Sequence, residues 1–215
     1  MQFTKGAIKI LYAIIPLIFS SVQGFSQLPD LAEKRPLLLS VFSTGTQLPG
    51  GGVLGVFPVP VHPGLCAGTE FRYNRHPQWQ WFQTVKVAVS YHRYVQTAVE
   101  LYSEAGYRQM IWRGTGAEFR LGGGYLHAIP AAEIFRLRNG VYEKKTNFGR
   151  AQAMLSAALG LSYAPPALHN KMRFFLDYQF FLQMPFVKQY VPLLPNTALH
   201  AGVAFPFFTV KNKTR

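Results

Sequence analysis

The feature that most constrains this chain is an alternation of side-chain type at period two, repeated in long segments. Met172–Gln183 is the clearest case. Its even positions are Met172, Phe174, Leu176, Tyr178, Phe180 and Leu182, while its odd positions are Arg173, Phe175, Asp177, Gln179, Phe181 and Gln183. A strand sends these two sets to opposite faces, whereas a helix would scatter both around its circumference. Val85, Val87, Val89 and Tyr91 alternate with Lys86, Ser90 and His92. Val95–Arg108, Ala117–Tyr125, Leu155–Tyr163 and Leu199–Phe207 follow the same rule, and Pro36–Gln47 and Gly64–Arg75 bring the expected strands to eight.

The charges decide which face looks where. Glu70, Glu100, Glu104, Glu118 and Asp177 all project opposite the aliphatic stripe, together with Arg72, Lys86, Arg108, Arg120 and Arg173. Five acids thus meet five bases on one face, leaving Leu, Val, Phe and Tyr on the other. A closed barrel that turns the aliphatic face to lipid satisfies every backbone group and has no free edge. It also avoids exposing Arg or Lys to hydrocarbon, which costs about 2–4 kcal/mol at the midplane. A soluble lipocalin-like barrel predicts the reverse, an apolar cavity under a polar surface. Eight strands leave an interior that side chains can fill. The expected fold is therefore all-β: an eight-stranded antiparallel up-and-down transmembrane barrel over 36–208 with a plugged, salt-bridged lumen.

The connections fit that topology. Short turns are expected at Asn74–Gln78, Met110–Thr115 and Ala164–Lys171, and longer links at Leu48–Pro63, Pro130–Arg150 and Met184–Thr197. Outer-membrane barrels have this asymmetry, with short periplasmic turns and long outer loops. Residues 130–150 fit either a brief helix or an extended hairpin. Tyr73, Trp79, Trp81, Tyr91, Tyr94, Tyr107, Trp112, Tyr125, Tyr163, Phe207 and Phe208 fall near strand ends, where aromatic girdles sit.

Residues 1–26 read as a cleaved export signal, with Lys5 and Lys9 before the apolar run Ile10–Phe19 and small residues at Gly24 and Ser26. At about ten residues, that run is half what a membrane-spanning helix needs. Residues 27–35 are expected as a periplasmic segment and 209–215 as a basic tail. Removing Lys5 and Lys9 from the formal charge of +13 leaves the exported chain near +11. The excess falls in loops and ends: Arg93, Arg136, Arg138, Lys144, Lys145, Arg150 and Lys188 outside; Lys34, Arg35, Arg75, Arg113, Lys171, Lys211, Lys213 and Arg215 inside. Such surfaces attract polyanions. For an exported chain the expected partners are outer-membrane lipid and lipopolysaccharide, not nucleic acid.

Little catalytic chemistry survives inspection. One cysteine, Cys66, rules out an internal disulfide and multi-cysteine metal sites. The histidines at 62, 76, 92, 127, 169 and 200 form no i,i+4 pair, so no metal and no cofactor is expected. Pro49-Gly50-Gly51-Gly52 and Gly122-Gly123-Gly124 lack the Lys-Ser/Thr of a phosphate loop. Ser90 and His92 share a face that Glu100 can approach, but two strand positions lie about 7 Å apart, and that face is the lumen rather than the lipid.

Several stretches carry a resemblance: Val61-His62-Pro63-Gly64, Phe82-Gln83-Thr84, Gly106-Tyr107-Arg108, Gly124-Tyr125-Leu126-His127, and Val191-Pro192-Leu193-Leu194-Pro195 before Leu199-His200. They resemble uncharacterised small outer-membrane barrels of Bacteroidetes-type bacteria. The resemblance implies an outer-membrane barrel and brings no catalytic motif with it. Phe205-Pro206-Phe207-Phe208 looks like the aromatic ending read by the barrel-assembly machinery, followed here by 209–215. Two long links are unusually apolar: Val53, Leu54, Val56 and Phe57 in the first, Phe186, Tyr190, Val191 and Leu193 in the last. Contact with a partner would explain them. The expected role is a non-enzymatic accessory or scaffold subunit of a larger outer-membrane transport or assembly complex. The alternatives are a small-solute or hydrophobic-ligand channel, and a lipid-modifying enzyme.

Overall fold

In the computed structural model, the described residues are 35–49, 61–74, 76–93, 95–131, 134–138, 141–145, 148–166, 172–186 and 192–208, with the backbone alone for 134–138, 141–145 and 207–208. The expected signal peptide, the segment up to 34 and the tail lie outside them. So do Val53, Leu54, Val56, Phe57, Tyr190 and Val191, and the loop bases at 75, 171 and 188.

Ten strands occur in chain order: β1 (Arg35–Gly45), β2 (Pro63–Arg72), β3 (Trp79–His92), β4 (Gln96–Trp112), β5 (Thr115–Pro130), β6 (Ile134–Arg138), β7 (Val141–Lys145), β8 (Arg150–Tyr163), β9 (Arg173–Met184) and β10 (Leu194–Phe208). Eight of them close an antiparallel barrel in the order β1-β10-β9-β8-β5-β4-β3-β2. Each strand pairs with its neighbours in sequence, once the β6–β7 hairpin is set aside as a separate two-stranded sheet. Residues 130–150, open between helix and hairpin from sequence, thus contain the hairpin.

Period-two alternation in the chain becomes alternation of burial in the wall. Along β8 the even positions Gln152, Met154, Ser156, Ala158 and Ser162 are buried, while Leu155, Leu159 and Leu161 are exposed. Val41, Leu65, Val87, Leu101, Leu121 and Leu176 continue that exposed aliphatic belt on other strands. An uncovered belt of this breadth suits hydrocarbon and is an aggregation hazard in water.

Local chemistry closes the ends. Trp112 and Thr115 pair across a two-residue turn in which Arg113 (φ 37°) and Gly114 (φ 86°) both take positive φ. That geometry matches the strand twist and favours glycine at the second position. Aromatic side chains ring both ends: Tyr73, Trp81, Trp112 and Tyr163 at the short-turn end, and Tyr91 and Tyr125 at the other. Trp81 and Tyr107 meet edge-on at 5.1 Å. One expectation is corrected. β10 begins at Leu194 rather than near Leu199, and pairs Leu194 with Gln183, so the last link is shorter than the sequence implied. Pro195 pairs with Leu182 near the start of the strand, where proline is tolerated.

Candidate functional site

Among the described residues, the lumen is where the fold gathers chemistry, and its two halves differ. Toward the short-turn end, inward positions of β2, β4, β5 and β9 bring carboxylates and guanidiniums to one level. Arg108 grips Glu70 with both terminal nitrogens (Nη2–Oε2 2.7 Å, Nη1–Oε1 3.2 Å) and Glu118 through Nε (2.7 Å). Arg173 bridges the same two acids at 2.6 and 3.0 Å. Arg72 adds a contact to Glu70 at 3.0 Å from the rim, where its side chain is 36% exposed. Arg120 links the level to the barrel middle, contacting Glu118 at 3.1 Å, Asp177 at 2.5 Å and Glu104 at 3.6 Å.

Glu104 is completely buried, yet its oxygens are provided for. Lys86 Nζ lies 2.8 Å from Oε2, and Ser156 Oγ and Gln179 Nε2 donate to Oε1 at 2.9 and 3.1 Å. Charges this deep are tolerable only when paired and hydrogen-bonded. Small neighbours make the room: a Cβ on Gly106 would meet the Phe82 ring, on which Arg108 also stacks at 4.4 Å, and a Cβ on Gly160 would strike Asp177.

The outer half is built mainly from neutral groups, with Glu100 as the exception. An apolar layer contains Phe42, Leu126, Met154 and Phe181. Above it, Gln183 donates to Gln152 at 2.5 Å and exchanges amide hydrogen bonds with Gln96 at 2.9 and 3.2 Å, while Thr46 donates to Asn196 at 3.2 Å. His200 stacks on Phe42 at 4.4 Å and meets the Gln179 carbonyl oxygen at 3.0 Å. His62 and His92 stack face to face, centroids 3.5 Å apart and planes within 10°. The buried members, Gln152, Gln183, Asn196, His62 and His200, were missed from sequence, where they read as neutral polar positions with no spacing signature.

All ten charged residues singled out from sequence project into the lumen, but they do not form one network. Nine of them make the ion pairs above. Glu100 stands apart: among the described residues its side-chain partner is Ser90, whose hydroxyl donates to Oε1 at 3.3 Å. The expectation of a fully paired interior is corrected here, because Glu100 sits one level too far out for any network base. Ser90 and Glu100 therefore do approach each other, while His92 stacks on His62 instead of forming a relay. Cys66 is buried against the Tyr102 hydroxyl at 3.8 Å. Among the described residues no group of three or more His, Cys, Asp or Glu could hold a metal ion.

Of the expected contact residues within the described loops, Leu193 is exposed and Phe186 half-buried. The Phe186 amide donates to Pro192 O at 3.2 Å, and Arg150 and Gln152 hold the Phe186 and Pro185 carbonyls at 3.1 and 2.6 Å.

No family model and no curated protein matches this chain. Solved structures do. Neisserial surface protein A (NspA) superposes with a TM-score of 0.51 at 13% identity, over 83% of this chain and all of that one. Ail, the attachment invasion locus protein of Yersinia pestis, gives 0.47 at 13%, over 80% and 97%. The N-terminal barrel domain of Pseudomonas aeruginosa OprF gives 0.36 at 13%, over 80% and 98%. What the chain shares with NspA is the fold: a closed eight-stranded barrel of the outer-membrane kind.

Proposed function

We propose that this outer-membrane barrel is a non-enzymatic, non-conducting protein that acts as an accessory or scaffold subunit beside a larger outer-membrane transport or assembly complex. The observation that carries the reading is the filled lumen. Arg108, Arg120 and Arg173 tie carboxylates from β2, β4, β5 and β9 across the bore, and those carboxylates are buried. A solute path would require breaking several charge-assisted hydrogen bonds at once. With the bore closed, the wall and the loops are left to do the work.

The loop end supports a contact role. Leu48, Val61, Phe148 and Leu193 are exposed there, Phe148 at 83%. Such side chains beyond the membrane belt gain by being covered. Outer-membrane lipid and lipopolysaccharide would contact the belt and the basic loops. Extraction in mild detergent tests the role: the chain should migrate in an assembly well above its 24.2 kDa. Leu48→Ser, Val61→Ser, Phe148→Ser and Leu193→Ser together should release it as a folded monomer. A wild-type chain recovered only as a lone monomer contradicts the proposal, as does steady conductance in planar bilayers.

A further inference from the structure

The outer mouth of the lumen contains a small cleft among Ser90, His92, Val95, Glu100, Phe181 and Asn196. Its cavity is about 20 Å³, room for one water-sized group at the base, and it opens to solvent. One unmet acceptor lines it, Glu100, and a second lies one ring behind it, on His62. Glu100 is 2% exposed and, among the described residues, has a hydroxyl and no base beside it. His62, stacked on the cleft residue His92, meets the Thr44 carbonyl through Nδ1 at 3.2 Å, so in the neutral ring Nε2 carries a lone pair. That Nε2 is buried with no partner among the described residues.

A buried carboxylate without a counter-charge is costly, and so is an orphaned acceptor. Whatever relieves them must bring positive charge and N–H donors. The rest of the lining narrows the class further. Gln96 and Asn196 already have amide or hydroxyl partners. The lining holds a single carboxylate, fewer charged oxygen ligands than a calcium site usually gathers. Val95, Ala98, Leu126 and Phe181 supply apolar surface, and an aromatic face favours a cation. One carboxylate in an apolar cleft suits the end of an alkyl chain that bears a protonated amine.

We infer that this cleft is a binding site for a primary alkylammonium group entering from the outer face, with Glu100 as its counter-ion. The site goes beyond the accessory-subunit reading and does not depend on it, since a lone monomer would still have the cleft.

The test uses the full chain in detergent micelles, titrated with n-butylammonium chloride at constant ionic strength and followed by amide NMR shifts of Ser90–Gln96 and Ala98–Glu100. Saturable shifts confined to this mouth are expected. Glu100→Gln keeps an acceptor for Ser90 and removes the charge, and should weaken binding roughly tenfold or more. Tetramethylammonium carries the charge without N–H donors and should not saturate the site, a comparison made on the unaltered protein and independent of any variant's folding. Absence of saturable butylammonium binding overturns the inference, as does equal binding by Glu100→Gln, by tetramethylammonium, or by calcium in place of the amine.

Discussion

The two halves of one lumen solve the same problem differently. At the short-turn end, four carboxylates and five bases lie at overlapping levels, and Arg108, Arg120 and Arg173 each satisfy two or more acids. At the loop end, amides, histidines and an apolar layer fill the same bore, and one carboxylate is left with a serine. The first half gives every one of its carboxylates a base and is a plug. The second carries a surplus of acceptors and is the half that can receive something. Burial alone does not separate them, since Glu104 and Glu100 are 0% and 2% exposed. What separates them is who stands beside the carboxylate.

Four substitutions test this contrast. Arg120→Met strands Asp177 and weakens the hold on Glu118 and Glu104. Removing one partner of a buried ionic cluster costs about 3–5 kcal/mol, and urea unfolding from lipid vesicles should show a loss of that size. Leu121→Arg places a charge on the lipid-facing wall midway along β5, and the same assay should read about 2–4 kcal/mol. It separates the demands of the wall from those of the bore. Gly160→Ala presses a methyl group against Asp177 and so loosens its contact with Arg120. Overpacking of this kind costs about 1–3 kcal/mol, and the loss should nearly vanish in an Arg120→Met background, because both changes act on one ion pair. The smallest effect belongs to the loop half. Glu100→Leu removes a buried carboxyl that no base holds, and stability should change by less than about 1 kcal/mol or rise. Equal losses for Arg120→Met and Glu100→Leu would erase the distinction between the halves.

How much of this was legible in the chain follows from what period two does and does not encode. It assigns faces, so the inward direction of Glu70, Glu104, Arg108 and Arg173, and the outward direction of Val87 and Leu101, could be read directly. It says nothing about height. Whether Glu100 meets a base depends on the stagger between strands, and its cleft neighbours Phe181 and Asn196 come from β9 and β10, far along the sequence. The stacking of His62 on His92 is set by the β2–β3 register, in which Gly64 faces Ser90. Two nearby histidines on different strands leave no spacing to detect. Pro195 falls where β10 begins, one of the few strand positions that tolerate proline. The hairpin over 134–145 stayed open because its strands are five residues each, too short for alternation to exclude a helix.

The central claim is that the barrel is turned inside out relative to a soluble protein, with a dry, filled bore and a wall in lipid. Single cysteines along β8 in a Cys66→Ala background, reconstituted in lipid vesicles, test it most directly. The strand's inward positions Met154, Ser156 and Ala158 are uncharged, so substitution leaves the ion pairs in place. The account predicts that Leu155, Ala157 and Leu159 cysteines react with a lipid-soluble maleimide and not with a charged one, while those at 154, 156 and 158 react with neither. Ready labelling of 154, 156 and 158 by the charged reagent would mean a water-filled bore, and labelling of 155, 157 and 159 by it would mean a wall in water; either contradicts the account.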